Sequence, residues 1–443
     1  MVIALRGLRT QIRRGLLRHL DTVQIAVHRP SVHCKNWRCN GRPAGGENRM
    51  AMGGGQRGLA LLGLVVLIGL SGALFINRSK PPQPRDTAPL VEQIAPPQQA
   101  LSFAQLREDG GLRTLLVLGR DDAGVRALDI GARFAMPGAD PLDILDAVGR
   151  DTLVALAETE TGTFHDPAGF LPSAGPGGAQ IAAGANYPEH GEEVAIDSVF
   201  LFPKLLAATP ARAEVAAGPE MLLDYEVELC ARFDRDIASL DDFDAARIGV
   251  FLCGDMTDRA ALLRGIDVDD RASGAGFADA KGGAGRFPTG PLLVVPADWQ
   301  SFLAGERIQT SVDGAVFQDG EGADMIADLR ELVAMALAEG TADRWAYGGR
   351  AVPLLADGTI PKGAAILTGT PEGVIFRPPG FNDRMTGFFS SAASGFSGSV
   401  VDAAIERYIA SRPARGTFLQ PGQEVAMRAP HLGRITLAIV AAP

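Results

Sequence analysis

The chain has 443 residues, 46% of them apolar, enough for a sizeable core and for more than one average domain. Its net charge of −10 is unevenly spread: residues 1–85 carry 14 Lys/Arg against two acids (Asp21 and Glu47), a net +12, while the remainder carries 28 Lys/Arg against 50 Asp/Glu, a net −22. So acidic a body repels a phosphate backbone, which excludes nucleic acid as a partner, and four cysteines are too few for a disulfide scaffold at this length.

Residues 1–58 form a basic tail without a convincing periodic pattern and are expected to be disordered. Residues 59–76, LALLGLVVLIGLSGALFI, hold 18 uncharged positions between Arg57 and Arg78. That approaches the ~20 residues a helix needs to cross the hydrocarbon core, and it predicts one transmembrane helix or signal anchor, with the membrane as a partner through residues 59–76. The small residues Ser71, Gly72 and Ala73 make a cleaved signal peptide the alternative. Eleven Lys/Arg precede the segment and three follow it, which favours a single-pass anchor with the body on the outer (periplasmic) side. A Pro-rich stretch, residues 77–100, reads as a linker.

A small N-terminal subdomain is expected over 101–175. In it RTLLVLG and VRALDIG read as strands around a DDAG turn, and DPLDILDAV as a helix with an Asp N-cap and Pro at its first position. From 176 to 443 β-type runs dominate: QIAAGANY, SVFLF, DYEVELCARF, RIGVFLCGD, PLLVVP, AAILTGTP and RITLAIV. The segment ADMIADLRELVAMALAEG interrupts them with apolar residues at helical spacing, and Gly340 stops it.

Within DYEVEL, Glu226 and Glu228 occupy alternate positions of an apolar strand, so both carboxylates point to one face. A lone E-x-E is ordinarily a solvated strand face. Here a second apolar run, Gly249 to Gly254, ends in Asp255, and three carboxylates on rigid strands make a hard-oxygen cage suited to Mg²⁺, Mn²⁺ or Ca²⁺. Upstream, His190 is followed three residues later by Glu193, an acid able to hold an imidazole as a water-activating base. If the two ligand strands pair antiparallel with Glu228 opposite Asp255, then Cys230 lies opposite Cys253. They are then either buried thiols or, with Cα atoms about 4.4–6.8 Å apart, a bridge.

The motifs AAGANYPEHGEE, VFLFPK, DYEVEL, CGDMTDR, Lys281 followed by PTGP, ILTGTPEGV and FLQPGQEV occur in this order. The string resembles the fumarylacetoacetate hydrolase family from about Ala179 to the C-terminus, and more faintly from Leu101. The resemblance implies an α+β, β-rich fold, a mixed β-sandwich roll of that family's C-terminal domain type over 176–443, preceded by the small subdomain. It implies Glu226, Glu228 and Asp255 as metal ligands, with Mg²⁺ the expected cofactor and Mn²⁺ or Ca²⁺ alternatives. His190 and Glu193 become the general-base dyad, Lys281 the cation facing the developing enolate, and Arg259, Thr370 and Tyr187 the substrate contacts. A homodimer is the family's common state.

The activity so implied is metal-dependent hydrolysis of a C–C bond in an acylpyruvate-type or related 2-oxo/1,3-dicarbonyl acid. The alternatives are an oxaloacetate-type decarboxylase, a 2-oxo-enoate hydratase or isomerase, and a non-catalytic small-acid-binding protein. This sequence departs from the family where Ala260 and Leu262 replace an acid and a Gln, and where Lys281-Gly282-Gly283-Ala284 replaces the usual opening. An insertion over 377–417 holds a helical segment, VVDAAIERYIAS, and Phe388, Phe389 and Phe396 among Gly and Ser. It is expected to be a mobile cover over the site or a membrane-facing patch.

Overall fold

The computed structural model of the chain describes residues 82–108, 110–121, 124–379, 399–412 and 417–442. Its strands in chain order begin with β1 (Ala100–Glu108), β2 (Gly111–Asp121), β3 (Gly124–Asp129), β4 (Thr163–His165), β5 (Gln180–Gly184) and β6 (Phe200–Lys204). Then come β7 (Arg212–Ala217), β8 (Leu223–Asp224), β9 (Val227–Phe233), β10 (Ile248–Gly254), β11 (Thr257–Asp258), β12 (Leu293–Pro296) and β13 (Arg307–Val312). The last are β14 (Ala315–Glu321), β15 (Trp345–Tyr347), β16 (Arg350–Val352), β17 (Ala365–Leu367), β18 (Glu424–Ala429) and β19 (Gly433–Ala441).

Ten of them form one sheet in the order β4-β3-β2-β1-β12-β10-β9-β17-β5-β6, and five form a second in the order β14-β13-β18-β19-β7. Both sheets are mixed: β17 runs parallel to β5 and β19 parallel to β7, among antiparallel neighbours. The α+β, β-rich architecture expected from the sequence is therefore present. The strands of residues 100–165 continue the large sheet through the β1–β12 pair, so no gap in hydrogen bonding separates them from the later strands of that sheet. Every residue of β9 and β10 is buried, which explains why both read as unbroken apolar runs instead of alternating ones.

Six helices bear on the site or on the sequence reading: α1 (Pro141–Val148), α2 (Pro188–Val194), α3 (Arg259–Gly265), α4 (Phe277–Lys281), α5 (Leu329–Glu339) and α6 (Val400–Ser411). In α1 the side chain of Asp140 accepts from the Leu142 amide and Pro141 opens the helix, as its sequence dictates. α5 starts later than the apolar spacing suggests. Asp328 and Glu331 form a capping box there, and Ile326, at 53% exposure, stays outside the helix.

One expectation is corrected. A transmembrane helix over 59–76, a single-pass anchor and a body on the outer side were read from hydropathy. Among the described residues no helix is long and apolar enough to cross a membrane, and the segment 59–76 lies outside them. The 12-residue α6 is the longest described helix. At 1.5 Å per residue it spans roughly 18 Å, short of the ~30 Å hydrocarbon core. The Pro-rich stretch, as far as it is described, lies against the folded body. The Arg85 amide donates to Val316 O at 2.8 Å, and the Glu92 carboxylate pairs with Arg120 and Arg434, each at 2.7 Å.

Candidate active site

The site is built where two paired strands leave the large sheet together. β9 and β10 are antiparallel neighbours, with Cys253 opposite Glu228 and Gly254 opposite Val227. Just beyond this ladder the strands β8 and β11 pair instead in a separate two-stranded ribbon. Glu226 and Asp255 occupy the break between the two ladders, where the Asp255 amide donates to Glu226 O at 2.8 Å. The expected strand DYEVEL is thus interrupted at Tyr225-Glu226, and the ladder is two residues out of the register that would set Glu228 against Asp255. The three carboxylates still converge: Glu226, Glu228 and Asp255 are all buried and offer oxygens within 4.8 Å of one another.

Three cations meet these acids. Lys281, the last residue of α4, donates from Nζ to Glu226 Oε2 at 2.5 Å and to Asp255 Oδ2 at 2.7 Å. Lys204, at the end of β6 and wholly buried, donates to Asp255 Oδ1 at 2.6 Å and to the Lys281 carbonyl at 2.8 Å. Arg259, at the start of α3, bonds Glu226 through Nη2 and Asp224 through Nε, the latter at 2.8 Å. Asp224 in turn accepts from the amides of Tyr225, Ile375 and Phe376, so a fourth acid fixes the arginine.

The electrostatics follow from burial set against these pairs. Burial alone would push the Glu226 carboxyl up, but Lys281 and then Arg259 outweigh it and hold the group at about 2. Glu228 goes the other way: burial, then the Asp255 carboxylate, raise it well above the usual range, and Lys281 offsets only part of this. Burial depresses Lys204 despite Asp255, whereas at Lys281 the charges of Asp255 and Glu226 overcome burial and raise it. Four carboxyl groups and three cations share this space, and the donor set that the triad offers is hard carboxylate oxygen. Buried acids in excess of their cations fit one divalent hard ion, which the triad could hold.

His190 lies on α2 beside this cluster. Pro188 starts the helix, and Ala195, at φ 59°, ends it. His190 Nδ1 meets Glu193 Oε2 at 3.2 Å; the imidazole is buried and the carboxylate partly so. Glu193 is itself held by Arg377 Nη2 at 2.5 Å and by the Gly373 amide at 3.1 Å. The TGTPEG loop explains its own composition. Gly369, at φ +96°, turns its amide onto Glu228 Oε2 at 2.7 Å, and Gly373, at φ +110°, does the same for Glu193. A Cβ at Gly373 would lie 2.1 Å from Phe317 O.

A narrow cavity of about 40 Å³ is lined by His190, Glu226, Arg259 and Lys281, with Phe200, Phe202 and Phe277 on its apolar side. Glu228 and Asp255 do not line it, and Asp255 is joined to it through Lys281. Two of the expected substrate contacts do not reach it. The Thr370 hydroxyl donates to Val227 O and accepts from Gln318 Nε2, both at 2.8 Å, so it ties the loop to the ligand strand. Tyr187 is 1% exposed, lies off the cavity, and its hydroxyl has no partner among the described residues.

Sequence reasoning passed over Lys204, Asp224, Asn186, Gln318 and Arg377. Asn186 receives the Ala327 amide at 2.8 Å and donates to Thr368 O at 2.8 Å, pinning the chain just before α2. Lys204 had a signal, a lysine closing the apolar run VFLFPK. The others had none beyond a polar residue in a motif.

The cysteines behind the cage are bridged: Cys230 and Cys253 have Cα atoms 6.0 Å apart and share a disulfide. It joins residues diagonal to each other, since Cys230 faces Phe251 and Cys253 faces Glu228.

The described residues thus combine mixed sheets in an α+β fold with three converging buried acids and a nearby His–Glu pair. The family model described as fumarylacetoacetate (FAA) hydrolase C-terminal matches residues 179–440, and the chain belongs to that family. A Mycobacterium smegmatis protein assigned as HpcE is 21% identical, covering 77% of this chain and 100% of that one with a TM-score of 0.50. The fumarylacetoacetate hydrolase of Exiguobacterium antarcticum is 17% identical, covering 77% and 100%, TM-score 0.46. Fumarylpyruvate hydrolase from Pseudomonas aeruginosa, solved with Mn²⁺ and pyruvate, is 20% identical, covering 60% and 90%, TM-score 0.39. No curated protein matches the chain.

Proposed function

We propose that the chain is a metal-dependent hydrolase that cleaves a C–C bond in an acylpyruvate-type 2-oxo/1,3-dicarbonyl acid, with Mg²⁺ its expected ion. The observation that carries this reading is the meeting of His190 with Lys281, Arg259 and one member of the acidic triad, Glu226, at one small cavity. A divalent ion held by Glu226, Glu228 and Asp255 supplies Lewis acidity toward the carboxylate and carbonyl oxygens of a 2-oxo acid.

The protein's own groups do the rest. Glu193 fixes the imidazole through Nδ1, which leaves Nε2 to take a proton from water as its oxygen attacks the distal acyl carbonyl. The C–C bond then breaks toward the pyruvate side. The acyl group leaves as a carboxylic acid, and the three-carbon enolate takes a proton to become pyruvate. Lys281 opposes the negative charge that develops on this fragment. The aromatic wall of Phe200, Phe202 and Phe277 keeps bulk water from the enolate.

Oxaloacetate-type decarboxylation is a second reading, favoured by one observation. Arg377 and the Gly373 amide already hold the Glu193 carboxylate, which weakens its support of a base, and decarboxylation needs no base. A screen of the purified chain with Mg²⁺ or Mn²⁺ against acylpyruvates, oxaloacetate and 2-oxo-enoates separates the two. On an acylpyruvate, His190→Ala is expected to lose on the order of 10²–10⁴ in turnover while still binding the ion. Glu226→Ala is expected to lose both. Full turnover of the acylpyruvate by His190→Ala would overturn the base assigned here, and turnover of oxaloacetate but of no acylpyruvate would replace the hydrolase by the decarboxylase.

A further inference from the structure

The catalytic cavity has a larger neighbour. An apolar chamber of about 380 Å³ lies between α3 and α6, within the range of roughly 300–1,000 Å³ seen for small-molecule sites. Val194, Leu263, Ile266 and Phe376 line both spaces, so a single layer of side chains separates or joins them. The far wall is Val401, Ala404 and Ile405 of α6, which belongs to the insertion that the family pattern lacks. The helix is seated deliberately. Arg264 forks onto Glu406 at 2.8 and 2.9 Å, and the buried Tyr408 donates its hydroxyl to Arg377 O at 2.8 Å.

Phe376 is the shared partition. The Arg259 guanidinium lies 5.2 Å from its ring on the catalytic side, and Tyr408 packs on it from the insertion. Among the described residues, the one charged group on the chamber wall is Arg271, and its Nη1 already donates to Ala195 O at 2.9 Å. A catalytic cavity of about 40 Å³ has little room for more than the reacting end of a substrate. The rest of the molecule needs a place, and the adjoining space is apolar.

We propose that this chamber binds the distal end of the substrate, and that this end is an alkyl or aryl group instead of a second carboxylate. The inference rests on the proposed hydrolase function for the end held at the metal cluster, and it adds the substrate class: hydrophobic acyl-substituted 2-oxo acids. The insertion helix α6 is then the specificity element, holding Val401 and Ile405 against the substrate tail.

Titration calorimetry of straight-chain 2-oxo acids of increasing length, on the full chain in Mg²⁺ buffer, tests the chamber without turnover. Affinity is expected to climb about fourfold per added methylene, the ~0.8 kcal/mol of a buried CH₂, until the chamber is filled. Val401→Asp, at a position 46% exposed and so tolerant of charge, is expected to flatten that climb while pyruvate binds as before. Ile405→Ala, which removes wall without adding charge, is expected to weaken only the longer acids. Affinity that does not depend on length overturns the proposal. So does tighter binding of an ω-carboxylate acid than of the methyl-ended acid of equal length, which would assign the chamber to Arg271. Because the readout is binding, a failure to cleave any acylpyruvate sinks the proposed reaction alone, and cleavage without length dependence sinks the chamber alone.

Discussion

Lys204 is buried to 0% exposure in a strand of large apolar residues, and among the described residues its ammonium donates to the Asp255 carboxylate and the Lys281 carbonyl. Removing one member of a buried pair leaves the other charge without its partner, a loss of about 3–5 kcal/mol. Lys204→Met is therefore expected to lower the unfolding free energy measured in urea by that order and to weaken metal binding with it, since Asp255 loses its tether. A change under about 1 kcal/mol would show that the ammonium is dispensable there. At this scale the sequence was legible where residue type and spacing carry the chemistry: the E-x-E, the acid after the second apolar run, and His190 with Glu193. It was silent about Arg377 and Gln318, and marked Lys204 only as a lysine closing an apolar run. Their roles depend on which way a side chain turns after the chain has folded, and a polar residue beside an apolar run looks the same whether it turns inward or out.

Between elements, what could be read was the existence of strands and not their alignment. Continuous apolar runs announce β9 and β10, but nothing in such a run marks the break at Tyr225-Glu226 or the two-residue offset in their pairing. The offset places the cysteines on a diagonal and still within bridging reach. Closing a loop of 23 residues removes chain entropy from the unfolded state, worth about 3 kcal/mol. Cys230→Ala/Cys253→Ala is expected to lose that much unfolding free energy in urea denaturation; an unchanged value would mean that the packed strands hold without it. A second tie joins the start of β13 to the β18–β19 turn. Glu306 accepts from the His431 amide and from Nδ1, both at 2.8 Å, and this hydrogen bond, against partial burial, raises the His431 pKa. A raised folded value stabilises the protein fully below the unfolded pKa of about 6.5 and ceases to do so as pH rises through the folded one. Comparing the wild type with His431→Gln in urea at successive pH values should show a gap of ~1 kcal/mol or less, given the partly exposed ring, that closes on the alkaline side.

For the molecule as a whole, the motif order was enough to recover the family and the α+β class. Two features escaped it. The region read as a small N-terminal subdomain, 101–175, extends the large sheet through the pairing of β1 with β12, and a strand's partner is not written in its own residues. The Pro-rich stretch reads as a free tether because proline-rich composition lacks apolar periodicity, but Arg85 and Glu92 tie it to the body through ion pairs. The buried bridge also bears on the history of each molecule. Both cysteines are at 0% exposure, and thiol–disulfide exchange requires a thiolate to come directly against one of the sulfurs. Once the sheet has closed, no oxidant or reductant has a path, so the bridge is decided while the chain is still open, by the redox poise around it. Chains folded among oxidants and chains folded among reductants are then two long-lived populations of one sequence. Mixed afterwards in a single buffer, they should keep their difference, the mass of two hydrogens, until something opens the fold.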